Sequence, residues 1–468
     1  MSKPAQSSSL SADSKSLEKF GYKQELRRGL GLWDVVLYGV LFMVIIAPHS
    51  IWGLVQQDSL GMSTLVYIVG FVAIFFTALS YVRMSNRFPI AGSVYSYVQR
   101  GINPHVGFIS GWLILLDYCI TPALLYVMVA NWGTMLVPGS PWYLWVIVFV
   151  IFNTFVNIRG ISMTRGIDLI IFIVEILAVI AFIALGTNFI LGGGGAGEFN
   201  ADPLWQPGKV DAHFLAAGIS IAALNFLGFD GISTLAEETN RPEKNIGRGI
   251  LIALGIIIVC FVAQTYIASL VQPDWQSWSP EHAENAWFYG CQLVGGDLFM
   301  NLMLIINIVA IGIANIMNAQ LAASRLLYSM GRDKVIPAVF GKVHPKYQTP
   351  WVGAIFIGAV ALVLSLILTM ADLATLVNFG ALASFIMLNF AVFWFFFVRE
   401  KKRRTVGDWV KYVVCPWLGI IILGYVFTGF DIMTYALGVS WFVIGFIICA
   451  VKSKGFKEVP EAFKNLDV

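Results

Sequence analysis

Residues 41–55 read LFMVIIAPHSIWGLV, and the architecture turns on this stretch. Seven apolar residues run into Pro48, His49 and Ser50, with Gly53 three positions further on. The whole run is apolar enough to enter a bilayer, yet proline inside a helix removes a main-chain hydrogen bond and collides with the turn before it. In lipid the freed polar groups need partners, so such a break persists only where it lines protein or a cavity. Residues 219–238, ISIAALNFLGFDGISTLAEE, are interrupted in the same way by Gly228, Asp230 and Gly231. A kink with a glycine packing contact explains either break alone. The matched pair, in the first and sixth apolar runs, points to two inverted repeats of five helices with a solute site near the midplane.

Composition agrees. Of 468 residues, 58% are hydrophobic, 14% aromatic and only 12% charged, against about 25% charged in a typical soluble domain. A soluble enzyme and a disordered chain are both excluded. A transmembrane β-barrel is disfavoured because the runs stay apolar for a full helix length, roughly 20 residues. Twelve runs qualify: 33–55, 62–82, 106–136, 142–158, 167–191, 213–236, 248–271, 297–327, 351–370, 373–398, 410–429 and 432–451. Placing both termini inside puts 29 of the 30 lysines and arginines in inner segments, with Lys209 the exception, as the positive-inside rule requires. The expected class is therefore an all-α polytopic protein of the plasma membrane with both termini cytoplasmic. It divides into an N-terminal tail at 1–31, a ten-helix core at 32–400, helices 11 and 12 at 401–451 and a tail at 452–468.

Outer segments 194–211 and 272–290 hold Trp205, Trp275, Trp278 and Trp287, read as an interfacial aromatic belt. The Arg399–Arg404 cluster reads as an anchor at anionic lipid, not as a nucleic-acid patch. No GxxxxGK[ST], HExxH or GxSxG occurs, so neither ATP-driven pumping nor a hydrolytic site is legible. No cofactor is expected, and the oligomeric state is not encoded legibly.

An unwound stretch exposes main-chain donors and acceptors, and half-helix ends carry partial charge. A small polar or zwitterionic solute suits such a site. Candidate substrate contacts are Ala47, Pro48, His49, Ser50, Trp52 and Gly53 at the first break, and Asn225, Phe226, Gly228, Phe229 and Asp230 at the second. His49 reads first as a hydrogen-bonded structural residue, as lone histidines usually are, and otherwise as a pore-facing group that titrates near neutral pH. Phe226 and Phe229 read as packing or as faces for an alkylammonium. Carboxylates inside a membrane are costly and face a cavity by default. Asp117 lies about 16 Å along its helix, near the midplane; it reads as a polar anchor, a proton site or an amine contact. Glu175 reads as a coupling group or a buried neutral acid, Asp230 as a partner for freed donors at the break. Asp168 is expected to pair with Arg165. Glu237 and Glu238 are expected to pair with Arg241, Lys244 or Arg248 as an inner gate.

Four stretches carry a resemblance: RFPIAGSVYSYVQRGINPHVGFISGWLILLDY (87–118), NFLGFDGISTLAEETNRPEKNIGRGI (225–250), SRLLYSMGRDKVIPAVFGKVHPKYQTP (324–350) and LVNFGALASFIMLNFAVF (376–393). The chain resembles the amino acid–polyamine–organocation superfamily of permeases. Its INPHVGF, LLDY and VNFGALASF segments are most similar to bacterial putrescine importers. The resemblance implies a LeuT-like fold and alternating access, driven by protons or by exchange. It also implies that Glu175 stands where related permeases often carry a lysine in the place of a sodium ion. Amino-acid permeases of this group usually have a glycine-rich first break whose bare amides hold a carboxylate. Here the stretch from Ala47 to Gly53 contains Pro48 and a single glycine. The expected substrate is therefore a small amine, putrescine above all, with a neutral or cationic amino acid as the alternative. The expected coupling ion is the proton, through Glu175 or Asp117. Glu175 reads alternatively as helping to hold a sodium ion or offsetting a dicationic substrate, and a sodium-coupled carrier or a channel is the remaining alternative.

Overall fold

The computed structural model describes residues 25–26, 28–160, 165–210 and 212–458. The expected N-terminal tail and much of the C-terminal tail lie outside the described residues, as do the side chains of the Arg165–Asp168 pair.

Fifteen α-helices carry the described chain. They are α1 Leu32–Met43, α2 Pro48–Asp58, α3 Ser63–Arg87, α4 Ser93–Gly101, α5 Pro104–Leu136, α6 Trp142–Arg159, α7 Arg165–Leu191 and α8 Ala212–Ala222. There follow α9 Pro242–Val271, α10 Pro280–Val309, α11 Ile316–Arg332, α12 Trp351–Ile367, α13 Met370–Val392, α14 Val406–Phe427 and α15 Ile432–Lys452. Ten helical stretches are long and apolar enough to cross a membrane, and α1 with α2, bent by 52°, makes an eleventh span. Helix α12, with 17 residues, stands where the ninth run was expected. With α12 counted, the element order is consistent with twelve spans in an all-α protein.

Helix α5 forms the centre. It packs against α4, α6, α11, α12, α13 and α15, and 89% of its most apolar window is buried. In α14 and α15 the corresponding figures are 28% and 22%, so these two lie at the periphery with most of their apolar surface outward.

Two boundaries differ from the sequence reading. The eighth span starts at Pro280 rather than 297 and continues through a π-helical turn at Ala310–Asn315 to Arg332. Its first turns are polar (PEHAEN), which hid them from an apolarity count, and the chain kinks at Gly296 where φ is 70°. Trp287, assigned to the aromatic belt, consequently sits inside this helix, 1% exposed. Trp205 remains 55% exposed. Helix α4, buried along its length at the basic end, has no counterpart in the expected spans.

Candidate functional site

The break in the first span occupies residues 44–47, between α1 and α2. Val44 adopts φ 57°, a conformation that costs a β-branched residue energy. Pro48 is the first residue of α2, where an amide would have no helical partner in any case. The sequence reading placed the opening at residues 47–53. It is corrected to 44–47, because proline there begins a helix instead of disrupting one. His49, Ser50, Trp52 and Gly53 all lie on α2.

The second break is of a different kind. Helix α8 ends at Ala222, a 3₁₀ turn covers Ala223–Phe226, and a second covers Asp230–Leu235. Between them Leu227 is extended and Gly228 has φ 112°. Only glycine reaches that region cheaply, and a Cβ there would also sit 3.0 Å from the Phe42 ring.

A central cavity of about 50 Å³ lies between the two breaks and α5. That holds a few waters. Of the sequence candidates, Ala47, Ser50, Asp117, Asn225 and Gly228 line it. Asp117 accepts a hydrogen bond from Thr121 Oγ1 at 2.7 Å. Asp230 stands one residue back: Tyr118, which lines the cavity, donates its hydroxyl to Asp230 Oδ2, and Gly228 N–H donates to Oδ1 at 3.3 Å. Asn225 donates to the Tyr67 hydroxyl at 2.6 Å.

The remaining candidates are outside this lining. Trp52 is buried, with its indole N–H on Ser63 at 3.0 Å. Gly53 lets α2 meet α10, since a Cβ there would stand 2.1 Å from the Ala283 carbonyl oxygen. Phe226 packs on Tyr67 and Phe261, and Phe229 on Tyr81 and Phe385. His49 stacks on Trp287 with ring centres 3.9 Å apart. Its Nε2 is 2.9 Å from Gln264 Oε1 and its Nδ1 3.0 Å from Asn307 Nδ2. The neutral Nε2–H tautomer satisfies both contacts. Sequence reasoning missed Tyr118, Thr121 and Asn315 in the lining. Tyr118 and Asn315 were legible as polar side chains inside otherwise apolar runs.

Glu175 lies behind the first break. It is fully buried, its Oε2 accepts the Ile45 amide at 3.3 Å, and its Oε1 has no partner among the described residues. Gln264 donates to the Ile45 carbonyl at 2.8 Å. The break is thus held from behind by an acid and an amide. Three of its four amides are already committed: Val44 to Val40 O, Ile45 to Glu175 and Ala47 to Val44 O.

The two ends of the cavity differ. Toward the end opposite the basic loops, Ser50 and Met128 line both the central cavity and a second one of about 250 Å³, which also carries Asn131, Glu281, Glu284 and Asn285. Toward the basic end, ion pairs and hydrogen bonds join the elements. Glu237, fully buried, takes a two-pronged ion pair from Arg332 with both bonds at 3.0 Å and a third bond from Ala91 N–H at 3.2 Å. Glu238 pairs with Arg325 at 2.6 Å, and its carbonyl accepts from Gly29 and Leu30. Tyr95 donates to Asp333 at 2.7 Å. The partners expected for Glu237 and Glu238 were on the next helix. Instead Arg241, Lys244 and Arg248 are exposed, because Arg241 (φ 49°) turns the chain and α9 directs them outward.

Comparison with known proteins accords with this geometry. The family model described as "Amino acid permease" matches residues 35–462. The low-affinity putrescine importer PlaP of Escherichia coli K12 is 34% identical over 442 residues, 93% of this chain and 96% of its own. The branched-chain amino acid permease BcaP of Bacillus subtilis is 26% identical, covering 92% and 94% of the two chains. Among solved structures, MhsT in complex with L-phenylalanine aligns with a TM-score of 0.60 at 15% identity, over 85% of this chain and 98% of that one, a likeness of fold. A match of this extent, together with two broken helices around a central cavity, assigns the chain to the amino acid permease family of the amino acid–polyamine–organocation superfamily.

Proposed function

We propose that the protein is a secondary transporter that imports a small amine, of the diamine class typified by putrescine, across the plasma membrane by alternating access. The basic end faces the cytoplasm, as do both termini. Residues 32–400 form the ten-helix transport core, and 401–451 form two peripheral helices. One observation carries the choice of substrate. The first break presents almost no free amide to a carboxylate, while the Asp117 carboxylate lines the cavity and no lysine or arginine does so among the described lining residues. A cation is matched there. An acidic solute would bury uncompensated negative charge.

Ala47, Ser50, Asn225 and Gly228 frame the solute, Asp117 meets an ammonium group, and Asp230 holds Tyr118 in place from behind. Glu175 carries the coupling proton: its fixed contact is to the break itself, so a change of charge there acts directly on the segment that must move. The amino acid permeases among the relatives favour a second reading, uptake or exchange of a neutral or cationic amino acid.

The test is uptake into proteoliposomes of labelled putrescine and of neutral, basic and acidic amino acids, with and without a pH gradient. Gradient-driven putrescine uptake that glutamate does not inhibit is expected. Preferential glutamate uptake overturns the electrostatic reading, and a strict need for an α-carboxylate selects the amino acid alternative.

A further inference from the structure

A third cavity, of about 300 Å³, lies at the basic end and takes no part in the solute path described above. It is bounded by the start of α5, the turn after α11 and the end of α15. His105, Lys334 and Lys452 bring three nitrogen-bearing side chains to it, and its lining contains no carboxylate among the described residues. Lys452 Nζ donates one of its hydrogens to the Val335 carbonyl at 2.7 Å, which fixes the ammonium at the rim and leaves further hydrogens for a ligand. Phe108, Val335 and Cys449 supply a buried apolar floor. The Cys449 thiol contacts the His105 carbonyl, and the Phe456 ring lies 5.5 Å from the imidazole, so the segment after α15 folds back beside the cavity. Beside the rim stand two exposed aromatic rings, Phe446 (43%) and Phe456 (39%), with centres 5.3 Å apart.

We propose that this cavity is a binding site for the phosphate headgroup of an anionic lipid of the cytoplasmic leaflet. The assignment of side rests on the reading of the basic end as cytoplasmic. Two ammonium groups and an imidazole around an opening suit a phosphate. The adjoining exposed rings of Phe446 and Phe456 offer an apolar contact to an acyl chain, which a free phosphate lacks and which decides the source. The site also adjoins the closed end of the solute path. Lys334 directly follows Arg332 and Asp333, the partners of Glu237 and Tyr95. A bound headgroup therefore steadies the turn that carries the latch, and lipid composition sets how readily the cytoplasmic end opens.

The full-length protein is reconstituted in phosphatidylcholine vesicles with increasing phosphatidylglycerol, and uptake and co-purified lipid, by native mass spectrometry, are measured. The variant is K334N/K452Q; asparagine tolerates the left-handed backbone at position 334, where φ is 57°. Wild type should retain one phosphatidylglycerol that the variant holds about 30-fold more weakly, the effect of two lysines at an anionic surface. Its transport rate should depend on phosphatidylglycerol where the variant's does not, and K334R/K452R should restore both. Equal lipid retention and equal response in wild type and K334N/K452Q overturn the proposal. Inorganic phosphate reproducing the response in pure phosphatidylcholine overturns the lipid and leaves a soluble anion as ligand. If the asparagine–glutamine variant fails to insert, K334R/K452R against K452Q alone makes the same comparison.

Discussion

Glu175 on α7 accepts the main-chain amide of Ile45 at 3.3 Å, so a carboxyl group buried in the middle of one span is tied to the opened backbone of another. The bond needs only an acceptor. Glu175→Gln keeps an acceptor oxygen and removes the ability to gain and lose charge. Proteoliposomes carrying this variant should lose proton-driven accumulation of putrescine and keep exchange of labelled for unlabelled substrate. Full concentrative uptake would remove Glu175 from coupling.

Asp117 gives a sharper test of substrate charge. Asp117→Asn preserves size and the acceptor for Thr121. Loss of a hydrogen bond to a charged group costs about 1.5–3 kcal/mol. The KM for putrescine should therefore rise about 10- to 100-fold, with little change for any neutral amino acid the protein also carries. Saturation curves for the two solute classes measure this directly, and an unchanged putrescine KM places the amine elsewhere.

The buried Glu237–Arg332 pair lies at the basic end, where an inner latch is expected. Removing one partner of a buried ion pair costs about 3–5 kcal/mol, here at the expense of the closed conformation. In a background without native cysteines, a thiol at Ala319, which lines the central cavity, should react slowly from the cytoplasmic side. Glu237→Gln should speed that reaction by at least tenfold, and the exchanged pair E237R/R332E should slow it again. Reactivity independent of position 237 would show that the latch lies elsewhere.

Orientation can be read with impermeant thiol reagents. Cysteines at Ser140 and Ser279, in the turns before α6 and α10, should label from outside intact cells. Cysteines at Lys342 and Lys402, both exposed at the basic end, should label only in inverted vesicles. Outside labelling at Lys402 would invert the assignment of faces.

Gly53 tests the seam between α2 and α10. Because a Cβ at this position meets main chain, not a mobile side chain, Gly53→Ala must push the helices apart. Overpacking of this kind costs about 1–3 kcal/mol. A fall in the melting temperature of the detergent-solubilised protein is expected, whereas Gly255→Ala, which meets open space, should leave it unchanged.

The sequence carried the span pattern well, because crossing a bilayer demands a long apolar run and little else does. It carried the site less well. Pro48 announced a break but lies at the helix start after it, and the residues that open are Val44 to Ala47, whose composition is that of any apolar helix. Trp52 and Phe229 read as packing or as pocket residues, since aromatic side chains beside a break serve a core and a cavity with the same chemistry, and both lie outside the cavity lining. Glu237 and Glu238 were recognisable as members of an ion-pair network. Their partners, Arg325 and Arg332, lie roughly 90 residues away, and distance along the chain is what a single sequence conceals.

The unequal thickness of the two barriers around the central cavity bears on the transport cycle. On one side Ser50 and Met128 alone are shared between cavity and vestibule; on the other, two ion pairs and a tyrosine–carboxylate bond must separate. Admission of a solute is then a matter of small side-chain rearrangements, while discharge requires charges to part. With the basic end cytoplasmic, as proposed, the inward release is expected to be the slow half of the cycle. Because Glu237 is fully sheltered from water, added salt reaches it poorly, and the turnover of the carrier should be nearly indifferent to ionic strength even though its slowest event breaks ionic contacts.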